Sequence, residues 1–260
     1  MIYLELQIGD YVSRNSYNND TIFKIVDIKN DVAILKGVDI RLFADSNIDD
    51  LEKCDYVNKD EELIDSIIIR KDLDRSEYFY LPAKVLHIDG DKDYLNRCLD
   101  FYKKANILAI GEHINEGELY NAVPKLLRKY KPDIMIITGH DSINKSKDIN
   151  NINNYKNSKN FVKAVFQARD YEKSHEKLVI IAGACQSDYE ALIKAGANFA
   201  SSPKRINIHA LDPAIIAVNL ALTERGTEID LLQLLDKTKY GKDGIGGLKS
   251  TGMMYVGYPR

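Results

Sequence analysis

The 260-residue sequence has no tryptophan, six prolines and only three cysteines. Cys54, Cys98 and Cys185 are odd in number, far apart and without Cys-x-x-Cys spacing, which argues against a disulfide framework or a structural zinc site. A strong charge excess is also lacking, since 36 basic and 39 acidic residues leave a net charge of −3. The chain therefore has no overall basic field that would recruit nucleic acid or an anionic membrane.

Long apolar runs are lacking too. No stretch approaches the roughly 20 residues that span a bilayer, and residues 1–5 do not resemble a secretory signal. With 45% apolar and 29% charged residues, the composition is that of a soluble globular protein. We expect a reducing, cytoplasmic compartment in which a thiol stays free, with neither a membrane nor a nucleic-acid partner.

Three regions follow one another along the chain. Residues 1–50 contain short strand-like runs, at residues 12, 23–26, 32–35 and 40–43, separated by turn signals, and they predict a small SH3-like β-barrel. Residues 51–77 are rich in charge and predict a linker. Residues 78–260 alternate strand-like and helix-like segments, which predicts a parallel α/β sheet with flanking helices.

Two strands of that sheet lead to reactive residues. The apolar runs at 134–137 and 178–182 are followed by Thr138-Gly139-His140 and by Gly183-Ala184-Cys185. Such continuous runs are typical of strands covered on both faces. The two residues are 185 − 140 = 45 positions apart, room for one helical crossover, so we expect His140 and Cys185 at the same edge of the sheet.

Alone, each residue has an ordinary explanation. A free cysteine is usually a small buried hydrophobe, and a histidine at a strand end is usually a surface residue. Together they predict a cysteine hydrolase with Cys185 as nucleophile and His140 as general base. The oxyanion would be held by the N–H of Cys185 and an N–H beside His140, from Gly139 or Asp141.

The arrangement resembles the clan CD cysteine peptidases, the group of caspases, legumain, clostripain and gingipains. These enzymes present His and then Cys from adjacent strands, commonly as His-Gly and Ala-Cys, and the resemblance implies a caspase-like sheet. Ala184-Cys185 fits, whereas His140 is followed by Asp141 instead of glycine. The caspase sequence Gln-Ala-Cys-x-Gly is absent, because Gly183 and Ser187 replace its Gln and Gly. A caspase proper is therefore excluded.

A closer similarity covers almost the whole chain. It is to the sporulation-specific proteases of endospore-forming Firmicutes, and its segments are residues 8–12, 84–91, 137–141, 182–187, 195–203 and 208–213. The resemblance implies an endopeptidase that cleaves spore coat and germination precursor proteins after arginine. It would act in the mother-cell cytoplasm, or associated with the spore coat. The chemistry requires no metal and no organic cofactor.

An arginine pocket requires a carboxylate, because a guanidinium is always charged and pairs with one bidentately. Asp89 and Asp91 follow the first strand of the sheet and are the candidates for substrate binding. The alternative for each is a helix-capping turn. Asp212 is a third acid, with an N-cap role before Pro213 as its own alternative.

An arginine-specific peptidase would also meet Arg70 and Arg75 in the linker, so both are predicted self-cleavage sites.

Two other interpretations stay open. In an amidotransferase-like or α/β-hydrolase-like enzyme, His209 would be the base and the segment around Cys185 a nucleophile elbow, although the second glycine of the elbow is missing. Alternatively, the chain is a non-enzymatic spore scaffold protein. The glycine-rich residues 241–252 lack the Gly-Lys-[Ser/Thr] ending of a phosphate loop, so we expect a mobile loop or hairpin there and no nucleotide site.

Overall fold

The computed structural model describes residues 6–60, 62–63, 76–144, 146 and 148–258. The chain divides into two compact units, Met1–Lys59 and Asp60–Arg260. Within the described ranges, no helix has both the length and the apolar character needed to cross a bilayer.

The first unit is a five-stranded antiparallel sheet in the order β4-β3-β2-β1-β5. Its strands are β1 (Tyr11–Arg14), β2 (Phe23–Lys29), β3 (Val32–Gly37), β4 (Phe43–Asn47) and β5 (Leu51–Lys53). Alternate side chains form its core, namely Val12, Phe23, Ile25, Ala33 and Leu35. The SH3-like closure stays a prediction.

Two elements of this unit differ from the sequence prediction. The apolar pattern predicted the fourth strand at residues 40–43, but strand β4 begins at Phe43. The residues before it belong to a turn, which is closed by a hydrogen bond from the Gly37 N–H to the Leu42 carbonyl (2.7 Å). Strand β5 lies inside the predicted linker. Its three residues are too few to show a periodic pattern.

The second unit contains a short antiparallel ribbon and a six-stranded sheet. Strands β6 (Phe79–Leu81) and β13 (Tyr255–Gly257) form the ribbon. The sheet has the order β12-β11-β10-β9-β7-β8, and only β12 runs antiparallel to its neighbour. Its strands are β7 (Val85–Asp89), β8 (Ala109–His113), β9 (Ile134–Thr138), β10 (Val179–Ala182), β11 (Phe199–Ser201) and β12 (Ile245–Gly247). The predicted, mostly parallel α/β sheet is confirmed.

Helices cover both faces of this sheet. They are α1 (Lys92–Lys104), α2 (Leu119–Tyr130), α3 (Ser158–Tyr171), α4 (Tyr189–Lys194), α5 (Asp212–Leu222) and α6 (Leu231–Leu235). In β9, Ile134 and Ile136 join the core that contains residues of α1 and α5, whereas Met135 and Ile137 join the core built with α2 and α3. Burial on both faces explains the unbroken apolar run.

Strand β12 lies in the glycine-rich segment where a mobile loop or hairpin was expected. Gly247 is opposite Phe199 of β11, and a Cβ at this position would collide with the Phe199 ring. The glycines therefore permit close packing of an edge strand. Two of the three residues of this strand are glycine, which leaves Ile245 as its one β-branched residue, too little to predict a strand.

The connections of the sheet reverse direction between β7 and β9. From β7 the chain goes to β8 on one side, and it then returns to β9 on the other side and continues to β10. A crevice forms at the carboxyl ends of two neighbouring strands whose connections leave in opposite directions. Asp91 and His140 follow these two strands.

Candidate active site

The pairing of β9 with β10 brings the carboxyl ends of both strands to one level of the sheet edge, and His140 and Cys185 lie in the loops that follow. The register joins Ile134 to Val179 and Ile137 to Ala182, a constant difference of 45, which is also the separation of His140 and Cys185. A bond from Gly183 N–H to the Ile137 carbonyl (3.0 Å) continues the ladder past β10. The expectation that the two strands are parallel neighbours is confirmed.

The pairing of β7 with β9 adds Asp91 to the same level. Its register joins Asp89 to Thr138, a difference of 49, which extends to Asp91 and His140. Asp91 Oδ2 lies 3.1 Å from His140 Nε2. Asp91 Oδ1 accepts the N–H groups of Asp93 (2.9 Å) and Tyr94 (3.2 Å) as the N-cap of α1. The capping alternative is thus observed for Asp91, together with a histidine contact that sequence reasoning missed.

Asp89, the other predicted pocket residue, has no exposed surface. Its Oδ2 accepts the Thr138 hydroxyl (2.9 Å), and its Oδ1 accepts the Asp91 N–H (2.9 Å). The His87 ring is also buried here, with Nε2 3.6 Å from Asp89 Oδ2. A substrate guanidinium therefore has no route to Asp89. The hydrogen bond from Asp91 shows that Asp89 instead stabilises the loop that carries Asp91.

Asp212 is equally enclosed. Its carboxylate accepts the N–H groups of His209 (2.9 Å) and Lys239 (3.0 Å), and burial raises its pKa. Helix α5 begins at Asp212 and its cap residue is Leu211, so Asp212 does not cap the helix as the sequence suggested. It holds together two backbone segments outside the helix.

Cys185 lies in the turn after β10 and is 2% exposed. The N–H of Ile208 donates to its sulfur (3.2 Å), a contact that stabilises negative charge there. The turn is shaped by positive φ angles at Gly183 (103°) and Gln186 (58°). Gln186 bonds the segment that carries Ile208, through its N–H to the Ile206 carbonyl (3.1 Å) and its amide to Asn207 (3.2 Å). Residues 206–208 therefore lie against the sulfur.

Asp141 ties the histidine loop to the cysteine loop. Its Oδ2 accepts the hydroxyls of Ser158 (2.5 Å) and Ser187 (2.9 Å), and its Oδ1 accepts the N–H groups of Ser142 (2.9 Å) and Asn157 (2.7 Å). Burial raises the pKa of Asp141, and these hydrogen bonds oppose the shift. The aspartate that follows His140 thus has a structural use.

Glu116 is a further residue that the sequence analysis missed. Its Oε1 accepts the His140 N–H (2.8 Å). A Cβ at Gly90 or at Gly139 would collide with the Glu116 carboxylate, so glycine at both positions admits this side chain. The signal in the sequence was a glycine following each of two neighbouring strands, β7 and β9. Because Glu116 accepts the His140 N–H, that group is not available to a ligand.

His209, the rival base, is engaged within its own turn. Its Nδ1 accepts the N–H of Leu211 (3.2 Å), so the lone pair of that nitrogen is in use and the neutral ring carries its proton on Nε2. Neither nitrogen is then ready to take a proton from a thiol. This geometry favours His140 as the base.

Arg70 and Arg75 lie outside the described residues. In the described ranges, no group of three or more His, Cys, Asp or Glu side chains is arranged to hold a metal ion.

Comparison with known proteins identifies the family of the chain. The model of the family described as YabG peptidase U57 matches residues 7–259. The chain is 40% identical over 289 aligned residues to the sporulation-specific protease YabG of Bacillus subtilis (strain 168). That alignment covers 98% of this chain and 99% of the relative.

Proposed function

The chain belongs to the YabG peptidase family, a family of sporulation-associated peptidases, and we propose that it is a cysteine endopeptidase in which Cys185 is the nucleophile and His140 the base. The observation that supports the proposal most is the topology: His140 and Cys185 follow the neighbouring parallel strands β9 and β10, and Asp91, which follows β7, contacts His140 beside the reversal of the sheet.

The reaction follows from these positions. His140 takes the thiol proton, and the Cys185 thiolate attacks the scissile carbonyl carbon. The N–H of Cys185 and that of Gly139 or Asp141 hold the oxyanion. His140 then gives its proton to the leaving amine, which departs as the acyl-enzyme forms. Water, deprotonated by His140, hydrolyses the thioester and restores the thiol.

Access to the sulfur requires movement of the segment that covers it. Cys185 is 2% exposed, and Ile208 contacts its sulfur. A substrate carbonyl would displace residues 206–208. This is a local change, since the segment is held at Gln186 by two hydrogen bonds.

The proposal extends to specificity and substrates through the family resemblance. Cleavage follows arginine, and the substrates are spore coat and germination precursor proteins in the mother cell. Of the three carboxylates considered for the pocket, Asp89 and Asp212 have no exposed surface and Asp91 keeps 8%. The loop of Asp91 is therefore where recognition of arginine has to be tested.

Self-cleavage after Arg70 or Arg75 is also part of the proposal. Both arginines belong to the charged segment 51–77, and an arginine-specific enzyme on the same chain would meet them at a high effective concentration. Incubated wild-type protein should yield fragments of roughly 8 and 21 kDa, at about 0.11 kDa per residue. The Cys185→Ala variant should stay whole. If the wild-type chain cleaves arginine peptides but itself stays intact, self-cleavage is refuted and the peptidase proposal is not.

The decisive test compares wild type with Cys185→Ala on a mixture of arginine-containing peptides, with cleavage sites identified by mass spectrometry. Wild type should cut after arginine, and the variant should not cut. Alkylation by iodoacetamide provides a second readout, because a catalytic thiolate reacts well below pH 8.5. Equal cleavage by both proteins would refute the cysteine mechanism. A wild type that neither cleaves nor reacts would instead support the scaffold alternative.

A further inference from the structure

The Asp91–His140 contact fixes which nitrogen of His140 acts as the base. A carboxylate accepts hydrogen bonds, so Nε2, which lies 3.1 Å from Asp91 Oδ2, carries the proton and donates it. Nδ1 is then the nitrogen that can take the thiol proton. The partner of one ring nitrogen thus sets the role of the other.

The Asp91 side chain is held in place from several sides. Its Oδ1 caps the first turn of α1, and its N–H is bonded to Asp89 Oδ1 (2.9 Å). Tyr94, on the same turn of α1, packs edge-on against the His140 ring with centroids 6.1 Å apart. Asp91 is 8% exposed, so little water competes for the contact. The capped helix therefore fixes both the direction of the carboxylate and the plane of the ring.

We infer that Asp91 is the positioning residue of the base: it acts through His140, by holding the tautomer with the proton on Nε2 and by stabilising the imidazolium that forms when His140 takes the thiol proton. This inference rests on the proposed function and assigns Asp91 a role different from binding a P1 arginine. Its Oδ1 already accepts two hydrogen bonds and its Oδ2 contacts His140, so a guanidinium could pair with both oxygens only if the cap were broken.

The test separates positioning from recognition. Asp91→Ser retains an N-cap oxygen, because serine caps helices as well as aspartate does, but its side chain is too short to reach His140. Asp230→Ser is the matched control, since Asp230 is the N-cap of α6 and accepts the Gln233 N–H (3.1 Å). Two peptides are compared that differ only at P1, where one carries arginine and the other its uncharged isostere citrulline.

For Asp91→Ser we expect kcat to fall on both peptides by on the order of 10²-fold, the usual range for impaired general-base catalysis. KM and the arginine-to-citrulline ratio should stay as in wild type. Iodoacetamide should alkylate Cys185 more slowly at neutral pH, and the melting temperature should match that of wild type. Asp230→Ser should behave as wild type in every measurement.

Two results would overturn the inference. If Asp91→Ser lost activity on the arginine peptide alone, Asp91 would be a recognition residue; if kcat and alkylation were both unchanged, it would have no role at this site. Should Asp91→Ser fail to fold, Asp91→Asn, which caps equally well, is judged by the same readouts. Failure of the proposed function is recognised separately, as hydrolysis that persists in Cys185→Ala.

Discussion

The carboxyl-end edge of the six-stranded sheet and the five-stranded sheet of the first unit use polar side chains in opposite ways. At the edge, Asp89, Asp91 and Asp141 are buried, and each of these three carboxylates accepts at least two hydrogen bonds. In the first unit, the pairs Asp10–Lys53 and Asp50–Ser16 lie where water reaches them.

The difference shows where the molecule concentrates its electrostatics. A buried carboxylate is costly unless its partners are complete, so a cluster of such groups persists only where they do something specific. Solvent-exposed ion pairs contribute little and are screened by salt. We therefore expect substitutions at the sheet edge to change chemistry and stability strongly, and those at the exposed pairs of the first unit to change neither much.

The largest effect is expected at the nucleophile and base. Cys185→Ala and His140→Ala should each lower kcat/KM by at least about 10³-fold with the fold intact, because the two groups act as one unit. Circular dichroism checks the fold, and peptide hydrolysis gives the rates.

Lys53→Ala, in the first unit, is the control for this experiment and should keep wild-type hydrolysis. His209→Ala should retain substantial activity. An inactive His209→Ala beside an active His140→Ala would transfer the base role to His209.

The next effect is on stability. Asp212→Ala removes a fully buried carboxylate and leaves the N–H groups of His209 and Lys239 without their acceptor, so the free energy of unfolding should fall by about 2–3 kcal/mol. Asp50→Ala should cost less, because water can replace the carboxylate at Ser16. Denaturant unfolding measures both. Equal losses would contradict the contrast between the two regions.

The stability losses in Asp212→Ala and in Asp50→Ala should change with pH in opposite directions. Burial raises the pKa of Asp212 above 3.8, so its ionisation removes stability as pH rises from 3.8 through its folded pKa. Hydrogen bonds from Ser16 lower the pKa of Asp50, so its contribution is present above pH 3.8 and is lost as pH falls through its folded pKa. On acidification from pH 6 to about pH 3.5, the cost of Asp212→Ala should grow and that of Asp50→Ala should shrink.

Features that depend on residues close together in the sequence were predictable, and features that depend on contacts between distant segments were not. The β9 and β10 runs were predictable because burial on both faces leaves an unbroken apolar pattern, and the 45-residue spacing left room for the one crossover that makes these two strands parallel neighbours. The Asp91–His140 contact was not predictable, since it requires knowing that β7 pairs with β9 and not only with β8. Pairings between strands far apart in the chain leave no local pattern.

A smaller effect is expected at the segment that covers the sulfur. Asn207→Ala removes its bond to the Gln186 amide (3.2 Å), so residues 206–208 should open more often. One hydrogen bond contributes about 1 kcal/mol, so iodoacetamide should alkylate Cys185 about two- to fivefold faster. Asn150→Ala is the matched control, because the Asn150 side chain donates to Asp148 within its own turn (3.1 Å). An unchanged rate in Asn207→Ala would show that this bond does not hold the cover.

The smallest effect is expected at the exposed pair of the first unit. The Lys53 ammonium, 2.8 Å from Asp10 Oδ1, is the main cause of the lowered pKa of Asp10, and the Gln7 N–H adds to it. In Lys53→Met the Asp10 pKa should rise towards 3.8 and stay below it, because the Gln7 bond remains. The midpoint of denaturant unfolding at neutral pH should hardly move, and added salt should shift the Asp10 pKa of wild type in the same upward direction. NMR titration of the Asp10 carboxyl measures the shift. A large loss of stability in Lys53→Met would show that the first unit depends on its charges as the sheet edge does, and the contrast between the two regions would fail.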